Sequence, residues 1–90
     1  MITHNNDRSV EITLANQLGY ERVAMACSAS FAQLFDFPKD RIEDLKTMVG
    51  EASVNAMQHG NKGRTDAKVT ISLKCDEETI TVLVQDEGDG

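Results

Sequence analysis

Between Pro38 and about Gln58 the chain carries a single helical pattern that constrains everything around it. Pro38 is the one proline of the sequence. A proline pushes the residue before it out of helical angles, so an upstream helix must stop there and a new one begins after it. With Glu51 taken as zero and roughly 3.6 residues per turn, Ile42, Leu45, Val49, Ala52 and Ala56 fall between about +100° and +180° around the axis. Glu51, Asn55 and His59 are spaced four apart, so each lies about 40° beyond the last and the three form a polar row along the margin of that apolar stripe. Burying the stripe leaves the row at the rim of a core. Polar residues at this spacing ordinarily form a solvated face; a carboxylate and an amide half-withdrawn from water and aimed at a ligand is the other reading. Asp40 is the expected N-cap, with Glu43 three residues on completing a capping box. Gly60 and Gly63 are expected to take the left-handed conformation that ends the helix, with Lys62 and Arg64 near its negative end.

The stretches on either side change period. Ser9 to Ala15 alternates, with Val10, Ile12 and Leu14 on one side, and reads as a half-buried strand. After the turn residues Asn16 to Gly19, the segment Tyr20 to Phe35 places Val23, Cys27, Phe31 and Leu34 at helical spacing. Ala67 to Cys75 and Thr79 to Gln85 both alternate, joined by a short acidic turn at Asp76 to Glu78, which makes an antiparallel hairpin. The order is β-α-α-β-β, an α+β domain in two layers, with both helices on one face of the sheet and the other face more polar.

Ninety residues make one small domain, spanning 1–90, which buries only about 60 to 65% of its unfolded surface and is marginally stable. The net charge of −6 argues against a nucleic-acid partner, since phosphate binding needs a basic footprint. No apolar run is long enough to span a membrane and the N-terminus lacks the apolar core of a signal peptide, so a cytoplasmic protein is expected. Cys27 and Cys75 stand apart, with no zinc or redox spacing, and are expected to be reduced and buried.

The last strand runs directly into Asp86, Gly88 and Gly90, a DxGxG pattern. An ExxxNxxxH helix followed by a strand ending in DxGxG resembles the GHKL ATPase superfamily, and within it the bacterial anti-sigma-factor serine kinases, over most of the chain's length. The resemblance implies the GHKL (Bergerat) two-layer α/β sandwich with a mixed sheet, of which this chain would be the N-terminal portion of a histidine-kinase-like ATP-binding domain. Family members continue after DxGxG into a lid, a second glycine-rich segment opening a helix, and at least one more strand, so the C-terminal part of the fold is expected to be missing here and the ninety residues by themselves are expected to be inactive, a serine/threonine kinase resulting only from the full-length chain. An incomplete sheet has an unpaired edge, which invites association with another chain, a homodimer included.

Phosphoryl transfer from ATP needs a cation on the phosphates, an orienter or base for the attacking oxygen, and a pocket for the adenine. Asn55 offers a neutral oxygen suited to Mg2+, and Glu51, one turn earlier, can take a proton from a water or a serine. In the family the matching glutamate is the catalytic base and the matching asparagine holds the magnesium. The matching aspartate, here Asp86, accepts from the adenine amine, and Gly88 lets backbone approach the ring; Gly90 completes the motif. His59 either bonds the last helix carbonyls or lines the pocket. Arg22 reads as a solvated arginine, although related anti-sigma kinases have an arginine at a similar place on a protein-contact face. The resemblance thus implies Mg-ATP as cofactor, and a sigma factor and an anti-anti-sigma antagonist protein as partners, the antagonist being phosphorylated on serine. Two other readings stand beside it: a non-catalytic protein-binding module with the same fold, and the ATP-binding fragment of a sensor histidine kinase.

Overall fold

The computed structural model describes residues 8–88. Its elements follow the expected order: β1 (Ser9–Ala15), α1 (Glu21–Leu34), α2 (Lys39–Asn55) continued by a π-helical turn (Ala56–Gly60), β2 (Lys68–Asp76) and β3 (Thr79–Gln85). The sheet runs β1-β2-β3, and both pairings are antiparallel. Two helices between β1 and β2 carry the chain down and back up the sandwich, so β2 starts where β1 ended, with Ala15 opposite Lys68. The two-residue Glu77–Glu78 loop, with Glu77 at φ 56°, then reverses it again. The parallel pair that a mixed sheet requires is not found among the described residues.

Central β2 forms the floor of the core, because it is hydrogen-bonded on both sides while the helices cover its apolar face. Val69, Ile71, Leu73 and Cys75 are all buried, joined by Leu14 from β1, Ala24 and Phe31 from α1, Val49 from α2, and Ala56 and Met57 from the π turn. Burial of Ile71 or Leu73 contributes about 1.5–3 kcal/mol each. Ile42 is buried as the stripe requires, whereas Leu45 is only partly buried and packs against the cluster's edge.

Three local expectations are corrected. On α1 the buried residues are Ala24, Ser28, Phe31 and Ala32, while Val23 is 51% exposed and Leu34 74% exposed. The α1–α2 seam is built from small residues: a Cβ on Gly50 would stand 2.7 Å from the Met25 Sδ. The buried hydroxyls of Ser28 and Ser53 donate to Met25 O and Val49 O of their own helices. Of the apolar series at helical spacing only Phe31 points into the core, Val23 and Leu34 lie on the outer face of α1, and Cys27 is only partly buried, although both it and buried Cys75 are free thiols. At the start of α2 the N-cap is Pro38, in extended conformation, whose carbonyl accepts the helix's first bond from Ile42 N at 3.0 Å. Asp40 lies inside the first turn, and Glu43 pairs with Lys46 at 3.5 Å instead of closing a capping box. At the helix end the left-handed residues are Lys62 (φ 54°) and Gly63 (φ 71°), and Gly60 is not among them.

Candidate functional site

The up-and-down path places the end of β1, the end of α2, the start of β2 and the end of β3 at one end of the sandwich. Both sequence motifs lie there. Glu51 and Asn55 belong to the last turns of α2 and His59 to the π turn, with about 6 Å of helix between successive members at 1.5 Å per residue. All three are exposed, and no hydrogen bond or ion pair holds their side chains among the described residues. The half-desolvated setting expected for Glu51 and Asn55 is therefore not provided by those residues. A π turn at this point adds a residue to the helix; such turns are rare and recur where function needs a reshaped helix. Its signature bond runs from Asn61 N to Ala56 O at 2.7 Å, and Gly63 N closes the end on Met57 O at 2.9 Å.

Asp86 emerges from β3 and lies against the end of that turn. A side chain at Gly60 would collide with the Asp86 carboxylate, and one at Gly88 would collide with the Gly60 carbonyl oxygen. Gly60 is thus required for close approach, not for backbone conformation. The carboxylate folds back through Oδ1, which accepts from Gly88 N at 2.9 Å. A strand end that presents a carboxylate beside two stretches of bare backbone can bind a flat, hydrogen-bond-donating ring. The glycines let Asp86 and the Gly60 backbone close on each other, since the places where their β-carbons would stand are already taken by the Asp86 carboxylate and the Gly60 carbonyl oxygen. Gly90, the last residue of the motif, lies outside the described residues.

Sequence reasoning missed what holds this corner. Asn61, fully buried, donates through Nδ2 to Asn16 Oδ1 at 3.1 Å and to Lys68 O at 3.0 Å, while its Oδ1 accepts from Glu87 N at 2.6 Å. Asn16, at the exit of β1, donates to Arg64 O at 2.8 Å. Arg64 in turn donates to Glu87 O at 2.5 Å, and the Glu87 carboxylate accepts from Lys68 N at 3.0 Å. Asn16 and Asn61 read as ordinary turn residues because burial of a single polar side chain in a connection leaves no periodic trace. The only hint was an asparagine directly after the helix-ending glycine.

Comparison with known proteins decides the family: residues 14–90 match the histidine kinase-like ATPase domain. The chain belongs to that family. Within it, the chain is 32% identical over 85 residues to a protein from Clostridium beijerinckii named anti-sigma F factor, covering 94% of this chain and 59% of the relative. It is 34% identical over 85 residues to the serine-protein kinase RsbW of Bacillus subtilis, covering 94% of this chain and 53% of that protein. Similarity to an anti-sigma F factor of Clostridium novyi reaches 37% over 70 residues, 78% of this chain and 49% of the other. The chain therefore spans about half the length of the curated relatives it matches. Among the described residues of this histidine kinase-like ATPase domain, no helix is long and apolar enough to cross a membrane.

Proposed function

We propose that this chain is the nucleotide-binding portion of an anti-sigma-factor serine kinase, which binds Mg-ATP, holds a sigma factor and phosphorylates a serine on an antagonist protein in the cytoplasm. The observation that carries the reading is the seat of Asp86 on Gly60, which joins the DxGxG strand end to the helix bearing Glu51, Asn55 and His59. The names of the relatives, anti-sigma F factor and serine-protein kinase, support the choice of substrate class. When bound, Mg-ATP supplies the γ-phosphoryl group and the cation that neutralises its charge. Asp86 would accept from the adenine amine, and Gly88, without a side chain, lets the strand end sit close against Gly60 beside it. Asn55 offers its amide oxygen to magnesium, a hard ion that prefers oxygen. Glu51, exposed and unpaired among the described residues, takes the proton from the serine hydroxyl. His59 lies at the same end of the helix, and Gly90 completes the motif in sequence.

Incubation of the chain, extended past Gly90, with Mg-ATP and an antagonist protein is expected to yield phosphoserine, and Glu51→Ala to lower the rate by about 10²–10⁴-fold, the usual contribution of a general base. Glu51→Gln should leave stability within about 0.5 kcal/mol of wild type, as for an exposed residue without partners. Partner binding that ignores nucleotide, with no phosphoserine formed, would instead establish a non-catalytic module.

A further inference from the structure

We propose that Asn61 is the positioning residue of the nucleotide site, fixing Asp86 by holding the backbone of Glu87; the proposal rests on the nucleotide reading above. Asn61 is 0% exposed, and its amide is oriented by chemistry alone. Glu87 N can only donate, so it must face Oδ1, and Lys68 O can only accept, so it must face Nδ2. The second Nδ2 proton goes to Asn16 Oδ1. Neither aspartate, which lacks the donors, nor leucine, which has similar size and no polar atoms, reproduces this set.

The three bonds do different things. Those to Asn16 and Lys68 tie the exit of β1 to the entry of β2, which is scaffold. Of Asn61's three bonds only that to Glu87, at 2.6 Å, reaches the loop carrying Asp86, and it holds the Glu87 N–H, whereas Arg64 and Lys68 hold the Glu87 carbonyl and carboxylate. Asp86 is thereby held between the last residue of β3, Gln85, paired with Thr70, and a Glu87 amide anchored to the end of the π turn. Its carboxylate is kept over Gly60 instead of sweeping through solvent, so the acceptor for the adenine amine is in place before the ring arrives. Preorganisation of this kind raises affinity by removing an ordering cost at binding.

The test separates positioning from scaffolding. Asn16→Ser cuts the same network on the β1 side while leaving the Asn61–Glu87 bond intact, and serves as the structural control. Titration of the full chain with a fluorescent ADP analogue in Mg2+ is expected to show Asn61→Ala binding at least about tenfold more weakly than wild type, the equivalent of one lost buried hydrogen bond, and Asn16→Ser staying within about threefold. Amide hydrogen exchange of the wild type gives a readout that needs no variant: the Glu87 amide should exchange slowly, as a hydrogen-bonded amide does. It should become fast in Asn61→Ala and stay slow in Asn16→Ser. A fast Glu87 amide in the wild type, equal loss of ADP binding in both variants, or unchanged binding by Asn61→Ala overturns the proposal while leaving the nucleotide site standing. Absence of ADP binding by the wild type, or binding indifferent to Asp86→Asn, overturns the nucleotide reading itself and the proposal with it.

Discussion

Gly60 and Gly63 lie three residues apart and look interchangeable in the sequence, yet they do different work. Gly63 takes φ 71° with open space where a β-carbon would stand; Gly60 has no such backbone demand, but a β-carbon there would strike the Asp86 carboxylate. Gly63→Ala should therefore cost about 1 kcal/mol of backbone strain and leave ADP affinity unchanged. Gly60→Ala should displace Asp86 and weaken ADP binding about tenfold or more, whereas its helical backbone tolerates alanine well. Melting curves and ADP titrations of the pair check both halves, and a Gly60→Ala protein that binds ADP normally would show that Asp86 is not held where the structure puts it. At this scale the sequence spacing placed Glu51 and Asn55 on one helix and Asp86 at the end of a strand, because helical period and strand end each leave a trace. It assigned Gly60 the wrong duty because steric approach between residues far apart in the chain leaves none.

For α1, period was legible and phase was not. Hydrophobicity favoured Val23 and Leu34 as the inner face, but a helix that must pack closely against others buries small residues, here Ala24 and Ser28 on α1 and Gly50 and Ser53 on α2. Ala24→Leu should therefore cost about 1–3 kcal/mol by overpacking a fully buried position. Val23→Ala, at a half-exposed site, should stay within about 0.5 kcal/mol of wild type. Denaturant unfolding of both would expose an inverted order at once. The strands fared better: Ser9–Ala15 and Thr79–Gln85 form where alternation placed them, since a half-buried sheet leaves a period of two. The end of α2 departed from expectation because the π turn arises from tertiary demand. Met57 is buried in the core while Asn61, four residues later, must reach Asn16, Lys68 and Glu87, and the wider turn accommodates both.

The whole molecule couples its site to its stability more closely than a larger domain would. Four chain segments, the exits of β1, the π turn and β3 and the entry of β2, meet at Asn16, Asn61 and Glu87. A ligand held by Asp86 and Asn55 would clamp the ends of β3 and α2 together across that meeting point. A domain of this size has a free energy of unfolding of about 5–13 kcal/mol, and a ligand that binds the folded state alone at one hundred times its dissociation constant adds about 2.7 kcal/mol. In a domain of 60 to 100 residues each kcal/mol moves the midpoint by about 4–8 °C. Mg-ADP at that excess is therefore expected to raise the melting temperature by roughly 10–20 °C. GDP should raise it much less, because its ring presents a carbonyl where adenine presents the amine that Asp86 accepts. Asp86→Asn should flatten the response to ADP, since an amide turned to accept from adenine sets its NH2 toward the Gly88 N–H that Oδ1 now binds. A melting temperature indifferent to ADP across a thousandfold concentration range would rule out an adenine site at this end of the sandwich, whatever the family resemblance.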